Sequence, residues 1–256
     1  MKVLLVSSKY QPEYSGSGFR AHHLYLRLSS KFNINYDVVC NSLINRKNEI
    51  YEHEGVEINK ISYPVDFEKL RGLKRKFHAI LSMFYEFYYS YKFIKKKGIK
   101  NYNLIHTFGN SWSIAFLTYY FYLKKKPILR ELVNNMNTPY YPIQFKNFFR
   151  GVFQKNNTMM IAISKKLEEL CKTYKVKKIW MRPNPIDEKK FFLVDKKEKF
   201  KLRNKLIHFS NQDIILTHIA SYMRQKNHIF ILDILKKLPK NFKLYLGGPV
   251  VNDENR

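Results

Sequence analysis

The sequence is poor in cysteine, glycine and proline, and each shortage excludes a class of protein. Its two cysteines, Cys40 and Cys171, are too few for a disulfide framework, so free thiols in a reducing compartment are expected. Nine glycines and nine prolines exclude collagen-like, mucin-like and flexible linker chains. Hydrophobic residues make up 45% of the chain and charged residues 26%, which indicates a globular protein rather than a disordered one.

Long hydrophobic runs are also missing. The first apolar segment covers only residues 3–6 before Ser7, whereas a secretory signal needs roughly 7–15 apolar residues. No stretch reaches the roughly 18 uninterrupted apolar residues of a membrane-spanning helix. We therefore expect a cytoplasmic protein that is soluble or peripheral at the inner face of the membrane.

Acidic residues are scarce compared with basic ones. The chain has 47 Lys and Arg against 20 Asp and Glu, which gives a formal net charge of +27. Nucleic acid, an anionic membrane surface and phosphorylated small molecules would each suit this charge, and a biased composition rich in Lys, Asn, Ile, Tyr and Phe is the alternative. No nucleic-acid-reading motif accompanies the charge, so no specific nucleic-acid partner is expected.

Short apolar segments alternate with helical patterns along the chain, which favours an α/β fold with a parallel sheet. The predicted strands are 2–6, 36–40, 56–61, 104–106, 127–133, 159–163, 179–181, 213–220 and 242–246. The predicted helices are 19–31, 73–97, 111–124, 145–154, a helix that Ser164 N-caps and that continues through Thr173, and 227–238.

Two prolines close together, Pro183 and Pro185, interrupt regular structure and predict a boundary between domains at 1–185 and 186–256. The first domain has roughly six or seven predicted strands. The second has two strands and a helix, too few to bury both faces of a parallel sheet, so it is expected to be incomplete.

The loop after the first strand carries glycines. Gly16 and Gly18 would let the backbone approach an anion at a helix N-terminus, and Arg20 adds positive charge in the first turn of that helix. The alternative is a plain strand-to-helix turn.

Polar residues follow two later strands, where ligands bind in open α/β sheets. His106, at the end of its predicted strand, can orient a sugar hydroxyl or shuttle a proton; the alternative is a structural histidine. Glu131 ends the next strand and can bind hydroxyls, with a salt bridge or a solvated pair with Arg130 as the alternative. Asn110 lies in the loop after His106.

A basic loop precedes the helix at 227–238. Lys226 lies at the N-terminus of that helix, where a positive charge is unfavourable unless an anion binds there. Arg224 lies in the same loop, and both residues are assigned to phosphate binding. The alternative is that these charges are simply solvated.

The helix predicted at 73–97 is aromatic along its length and basic at both ends. Apolar residues on more than one face are typical of an interfacial helix, and the alternative is a buried helix with tyrosine hydroxyls at its rim. The basic residues assigned to a membrane surface are Lys74, Arg75, Lys76, Lys95, Lys96 and Lys97. No metal-ligand spacing was found, and none of the site residues is assigned to a metal.

Five segments resemble, in order, motifs of the family 4 glycosyltransferases, which have the two-domain GT-B architecture. They are the first strand and glycine loop at 1–18, Asn-Leu-Ile-His at 103–106, Ile-Ala-Ile-Ser-Lys at 161–165, Asn-Pro-Ile-Asp at 184–187 with Phe191, and the loop at 219–228. The resemblance implies a Rossmann-like domain followed by the start of a second one. Residues 1–185 would bind the acceptor, with Arg20, Asn110 and Glu131 assigned to that role, and residues 186–256 would bind the donor.

The resemblance also implies retaining transfer of a sugar from a nucleotide sugar to a glycan or lipid-linked acceptor, in cell-envelope polysaccharide synthesis and without a metal or other cofactor. His106 would stand near the sugar as the catalytic residue. Gly16 and Gly18 would approach the diphosphate or the acceptor, and Lys226 would neutralise the leaving diphosphate.

The sequence departs from the family at several positions. Ser221 stands where the family has an arginine, which Arg224 would have to replace, and Phe108 stands where many members have a second histidine. The hinge glycine is Pro185, and the family's E-x7-E segment would lie beyond Arg256. Two hypotheses stay open: a transferase or the N-terminal two-thirds of one, and a non-catalytic acceptor- or membrane-binding module.

Overall fold

The computed structural model describes residues 1–13, 15–42, 46–66, 69–132, 151–152, 155–188, 191–206, 210, 212–222 and 224–248. The chain divides into two compact units, Met1–Pro185 and Ile186–Arg256. Each unit is a mixture of helices and strands, and the large parallel sheet confirms the predicted α/β fold class. The helix predicted at 145–154 lies almost entirely outside the described residues, as do Tyr14 of the glycine loop and Val133 at the end of a predicted strand.

The larger unit is built on a sheet of eight strands, one or two more than predicted. Every neighbouring pair is parallel except β3 with β4, and the spatial order is β3-β4-β2-β1-β5-β6-β7-β8. The order in which the chain adds strands to the sheet reverses at β1, which lies between β2 and β5. Ligands of open α/β sheets bind beside such a point. The strands are β1 (Lys2–Ser7), β2 (Asn35–Cys40), β3 (Glu49–His53), β4 (Val56–Lys60), β5 (Leu104–Phe108), β6 (Ile128–Leu132), β7 (Thr158–Ala162) and β8 (Ile179–Met181).

Helices cover both faces of this sheet, as a parallel sheet requires. Helix α1 (Gly16–Phe32) packs on one face, against Val3 and Leu5 of β1. Helices α2 (Gly72–Lys97), α3 (Trp112–Leu123) and α4 (Lys165–Thr173) contribute to the core on the other face, which includes Leu4 and Val6. Adjacent residues of one strand therefore belong to different cores, because side chains alternate along a strand.

Serine side chains begin three of these helices. Ser15, Ser111 and Ser164 each have extended backbone, and each hydroxyl accepts a hydrogen bond from the amide N–H three residues later. This is the usual N-cap, which satisfies one of the N–H groups that a helix start leaves without a partner. The predicted Ser164 cap is confirmed, and the helix ends at Thr173 as expected.

Strand β3 forms an antiparallel hairpin with β4 and was not predicted. The turn consists of Glu54 and Gly55, with φ of +49° and +75°. A two-residue hairpin turn of this kind needs positive φ at both positions, which glycine accepts readily. Strand β3 is the edge of the sheet, so its residues alternate between half-buried and exposed and give a weak apolar signal.

The smaller unit contains two parallel strands, β9 (Ile214–Ile219) and β10 (Phe242–Gly247). Helix α6 (His228–Leu235) connects them after a short turn at Arg224–Lys226. Helix α5 (Lys196–Leu206) was not predicted. Its lysines and glutamate are good helix formers, and the Asp195 side chain accepts a hydrogen bond from the Glu198 N–H at 2.8 Å.

Among the described helices, none combines the length and the apolar character that crossing a membrane would need.

Candidate functional site

Glu131 is the centre of a buried charged cluster at the carboxyl edge of the larger sheet. Its side chain is 1% exposed, and Arg20 Nη2 lies 2.9 Å from its Oε2. Arg182 Nη2 donates to Oε1 of the same carboxylate. The three residues come from different elements: β6 carries Glu131, α1 carries Arg20, and Arg182 follows β8. The ion-pair alternative for Glu131 is therefore present, but its partners are Arg20 and Arg182 rather than Arg130.

His106 lies beside this cluster, on the neighbouring strand. Strand β5 continues to Phe108, so His106 lies within the strand rather than at its end as predicted. The Tyr25 hydroxyl lies 2.9 Å from His106 Nδ1. The other ring nitrogen, Nε2, is 3.8 Å from Glu131 Oε1 and has no hydrogen-bond partner within the described part of the chain.

The electrostatics of the cluster keep His106 neutral. Burial lowers the pKa of His106 to about 3, and the positive charges of Arg182 and Arg20 act in the same direction. Burial raises the pKa of Glu131, and the two guanidiniums oppose that shift. A neutral imidazole with so low a pKa is a weak base near pH 7, so this ring suits hydrogen bonding to a hydroxyl better than proton shuttling.

The two glycines of the first loop differ in their surroundings. A Cβ at Gly16 would meet no atom within 4 Å, so this position is open. A Cβ at Gly18 would lie 2.5 Å from the Lys9 carbonyl oxygen, so glycine is needed there for packing. The Gly18 N–H already donates to the Ser15 hydroxyl at 2.9 Å. Gly18 thus has a structural explanation, and an anion-binding role for either glycine stays a prediction.

The structure separates Asn110 from the other two residues assigned to acceptor binding. Asn110 Oδ1 accepts a hydrogen bond from Arg130 Nη2 at 2.6 Å. Arg130 is buried on the α3 and α4 face of the sheet, because it alternates with Glu131 along β6. Arg20 and Glu131 are therefore brought into contact, while Asn110 is bonded to the residue that faces the other way.

Arg224 and Lys226 belong to the smaller unit, where both side chains are exposed. They form the turn that leads into α6. Next to them the Tyr222 ring stacks on His228, with ring centres 4.7 Å apart and planes 23° apart. Asn227 precedes the helix with a φ of +50° and makes no side-chain cap bond. The turn therefore presents two cations and an aromatic ring at the start of a helix.

Helix α2 combines the two alternatives considered for it. Phe93 and Ile94 are buried in the core, while Phe77, Phe84 and Tyr88 are 60%, 59% and 59% exposed. These three are part of an apolar stripe along the outer surface of the helix. The apolar stripe is defined as Leu73, Phe77, Ile80, Leu81, Phe84, Tyr88 and Tyr91. Its spacing of three, four and seven residues keeps the stripe on one side of the helix.

Charge is distributed unevenly along α2. Five of the six basic residues assigned to a membrane surface are exposed, namely Lys74, Arg75, Lys76, Lys95 and Lys96. The sixth, Lys97, is half-buried and donates to Glu57 at 2.9 Å. The acidic residue of the helix, Glu86, points the other way and accepts hydrogen bonds from the Ser113 N–H and hydroxyl at 2.9 and 3.1 Å. Burial raises the pKa of Glu86 to about 7. The outer surface therefore carries positive charge and apolar side chains together.

Sequence reasoning missed Arg182, a member of the charged cluster, and Tyr25, which holds the neighbouring His106. Tyr25 lies in the helical pattern of α1 and looks like an ordinary core residue there. Arg182 lies just before the prolines that suggested a boundary, and its position after a predicted strand was the available signal. Neither contact is visible locally, because each joins segments far apart in the sequence.

No family model and no curated protein sequence matches the chain. Solved structures match its fold at low identity. Anabaena Alr3699/HepE in complex with UDP aligns with a TM-score of 0.62 and 12% identity, over 99% of this chain and 62% of that one. UDP-GlcNAc 2-epimerase from Neisseria meningitidis bound to UDP-GlcNAc aligns with a TM-score of 0.53 and 13% identity, over 100% and 67%. The lipopolysaccharide outer core galactosyltransferase WaaB, in its apo form, gives 0.57 and 12%, over 96% and 60%.

These likenesses establish the class of fold. The chain has the Rossmann-like α/β organisation of GT-B proteins, with the larger unit containing the complete eight-stranded sheet. It spans about 62% of the length of the HepE structure. At this level of identity the likeness defines the architecture, and membership of family 4 stays a prediction.

Proposed function

We propose that this chain is the acceptor-side domain, with part of the donor-side domain, of a glycosyltransferase that uses a nucleotide sugar. The observation that carries the proposal is the Glu131 cluster at the carboxyl edge of a parallel sheet, beside the point where the strand order reverses. The fold supports the substrate class, because HepE was solved with UDP and with UDP-glucose and the epimerase with UDP-GlcNAc. The proposal includes family 4 membership, retention of anomeric configuration, and no requirement for a cofactor.

The cluster offers hydrogen-bonding groups for sugar hydroxyls. His106 Nε2 is buried and has no hydrogen-bond partner within the described ranges, whereas Glu131 Oε2 is ion-paired with Arg20. Buried polar atoms are normally satisfied, so the unpartnered His106 Nε2 is suited to a ligand. In this proposal Tyr25 holds the His106 ring, neutral His106 orients one hydroxyl of the sugar, and Glu131 accepts a hydrogen bond from a second hydroxyl.

The smaller unit would stabilise the leaving group. Negative charge develops on the diphosphate as the bond to the sugar breaks, and cations near a helix start stabilise such charge. Arg224 and Lys226 supply that charge in the turn before α6. Ser221 contributes no charge at the position of the family's arginine, so Arg224 takes that part in this proposal. Gly16 contributes an open backbone position at the start of α1.

The outer surface of α2 supports a lipid-linked acceptor. Exposed aromatic residues and exposed lysines on one surface are typical of helices that lie on anionic membranes. We place the proposed transfer at the cytoplasmic face of the membrane, in the assembly of an envelope polysaccharide. In this proposal the membrane holds the acceptor next to residues 1–185.

A second candidate is a non-catalytic binding module. The burial of the cluster favours this candidate, because Glu131 is ion-paired with two arginines and His106 is only 3% exposed. An ion-pair network of this kind can be purely structural. In that case the chain would recognise a glycan or a membrane without transferring a sugar.

Nucleotide-sugar binding separates the two candidates. The 256-residue chain is mixed with UDP-glucose, UDP-GlcNAc and GDP-mannose in turn, and binding is followed by saturation-transfer NMR. We expect binding of one nucleotide class, weakened about 10-fold in Lys226→Ala through loss of a charged contact to phosphate. Lys240→Ala, an exposed lysine in the same unit, is the control and should bind like the unmodified chain.

The same samples are then given lipid extract and analysed for products. A glycolipid that carries the sugar of the added donor supports the transferase. A sugar nucleotide with an altered sugar would indicate epimerisation. Absence of binding to every sugar nucleotide would refute the transferase proposal for this chain and favour the binding module.

A further inference from the structure

A second group of polar side chains lies away from the Glu131 cluster, where the β3–β4 hairpin meets α1. His22, His53 and Glu54 each offer one ligand atom, and these three atoms lie within 4.8 Å of one another. We propose that these residues form a binding site for a divalent metal ion of the zinc class. The proposal is independent of sugar transfer and holds whether or not the proposed function does.

The hairpin turn creates this group. His53 is the last residue of β3, and Glu54 is the first residue of the turn, with its φ of +49°. The turn folds both residues back onto α1, where His22 is 1% exposed. His22 Nε2 lies 2.9 Å from Glu54 Oε2, and the His22 and His53 ring centres are 5.2 Å apart. A metal-ligand spacing is not visible along the chain, because the ligands come from separate elements.

A contact with Tyr10 orients the His22 ring. Its Nδ1 lies 3.1 Å from the hydroxyl of Tyr10, which is itself buried. When Nδ1–H donates to this hydroxyl, the lone pair of Nε2 points toward Glu54 and His53. Metal-binding histidines commonly have such a hydrogen bond on the second nitrogen, since it fixes both the tautomer and the ring.

The donor set indicates the metal. Two imidazoles and one carboxylate match the nitrogen and oxygen ligands of Zn²⁺, whereas Ca²⁺ and Mg²⁺ prefer oxygen ligands alone. Three protein ligands leave a fourth position for water. His23 is exposed beside His22, with ring centres 5.4 Å apart, and is the nearest further imidazole of this helix.

A metal ion here would fasten the edge of the sheet to α1. His22 lies between Arg20 and Tyr25 on that helix, where Arg20 pairs with Glu131 and Tyr25 contacts His106. A metal bound to His22 and to the hairpin would therefore stabilise the helix that positions them. The expected role is structural, since the ion is held by a hairpin turn rather than by the cluster.

Zinc titration of the full 256-residue chain tests the site. The protein is treated with chelator, dialysed and titrated with ZnCl₂ by calorimetry, and the cobalt form is examined for visible d–d bands. We expect one tight equivalent of zinc and a higher melting temperature with metal, because a ligand that binds only the folded state stabilises it. His53→Ala and Glu54→Gln should each weaken zinc binding by about 10-fold or more.

Both variants change residues at the surface hairpin, so they are expected to fold, and circular dichroism without metal checks this. His78→Ala is the matched control, because His78 lies on α2 and contacts Tyr63 rather than the hairpin histidine group. Zinc binding that is unchanged in His53→Ala and Glu54→Gln would overturn the proposal, even if zinc binds elsewhere. Absence of stoichiometric zinc uptake by the unmodified chain would overturn it equally.

Discussion

Arg20 Nη2 and Glu131 Oε2 lie 2.9 Å apart, which joins the first helix of the larger unit to the sixth strand of its sheet. Arg182 reaches the same carboxylate from beyond β8. The two arginine side chains keep 16% and 20% exposure, while the Glu131 side chain keeps 1%. The carboxylate is thus the shared and most buried member, and the arginines depend on it for neutralisation.

Removing this carboxylate should destabilise the fold. Glu131→Gln leaves two guanidiniums in the cluster without a counter-charge, and breaking a buried pair in this way costs about 3 kcal/mol. Urea denaturation measures the loss of unfolding free energy. The matched control is Glu168→Gln, which breaks the exposed pair of Glu168 with Lys172 at 2.8 Å and should cost much less, because water already screens these charges. Equal costs for the two variants would contradict the buried-cluster interpretation.

His106 should make stability depend on pH. Its pKa is about 3 in the folded protein and 6.5 ordinarily, so between these values the unfolded chain binds a proton that the folded chain does not. The stability from a neutral His106 is therefore complete above pH 6.5 and is lost as the pH falls toward 3. We expect the unfolding free energy to fall with decreasing pH by up to about 1.4 kcal/mol per unit more steeply than in His106→Gln.

Imidazole NMR shifts test the same point without relying on the variant. The His106 ring should show no titration between pH 8 and pH 5, because its pKa of about 3 lies well below that range. A midpoint near 6.5 for His106 would show that burial and the two arginines do not control its charge.

Neutralising the ends of α2 should abolish membrane binding. Each basic residue near an anionic surface contributes about 1 kcal/mol, so changing all six residues to Gln should weaken vesicle binding by at least about 100-fold. Sedimentation with phosphatidylglycerol vesicles measures this effect. The residues changed are Lys74, Arg75, Lys76, Lys95, Lys96 and Lys97.

A control variant of equal charge shows whether position matters. Six exposed lysines in and after α4 can be changed to Gln for the same loss of charge, namely Lys165, Lys166, Lys172, Lys175, Lys177 and Lys178. We expect this control to retain most of the membrane binding, because that surface lacks the apolar stripe. Equal weakening by both variants would show that net charge, rather than α2, drives the binding.

The two glycines of the first loop should respond differently to alanine. Gly18→Ala places a Cβ 2.5 Å from the Lys9 carbonyl oxygen, so we expect a loss of about 2 kcal/mol from overpacking. Gly16→Ala meets open space at the start of α1 and should stabilise the helix by up to about 1 kcal/mol. Thermal and urea denaturation of the two variants gives both values. A loss of stability in Gly16→Ala matching that in Gly18→Ala would contradict the assignment of open space.

The central strands could be predicted from the sequence because they are buried on both sides. The apolar segments at 2–6, 36–40 and 104–106 all fall within observed strands, and Ser164 began a helix as predicted. Strand β3 was missed since an edge strand needs no continuous apolar run. Helix α5 was missed since charged residues dominate its pattern, and charge alone does not distinguish a helix from a solvated loop.

The candidate site could be predicted only in part. His106 and Glu131 were found because both lie on strands, and parallel strands bring their carboxyl ends to one edge. Arg182 and Tyr25 were missed, because their contacts depend on the order of strands in the sheet and on the rotation of α1. The His22 group was missed for the same reason, since the unpredicted hairpin supplies two of its three members.

The alternation of Arg130 and Glu131 along β6 has a consequence for folding. A slip of β6 by one residue against its neighbours would exchange the faces of these two side chains. Arg130 would then meet Arg20 and Arg182, and three guanidiniums would be buried together without a carboxylate. Burying unpaired like charges is so costly that the slipped pairing is rejected. The charged cluster therefore selects the correct pairing of β6, whatever it later binds.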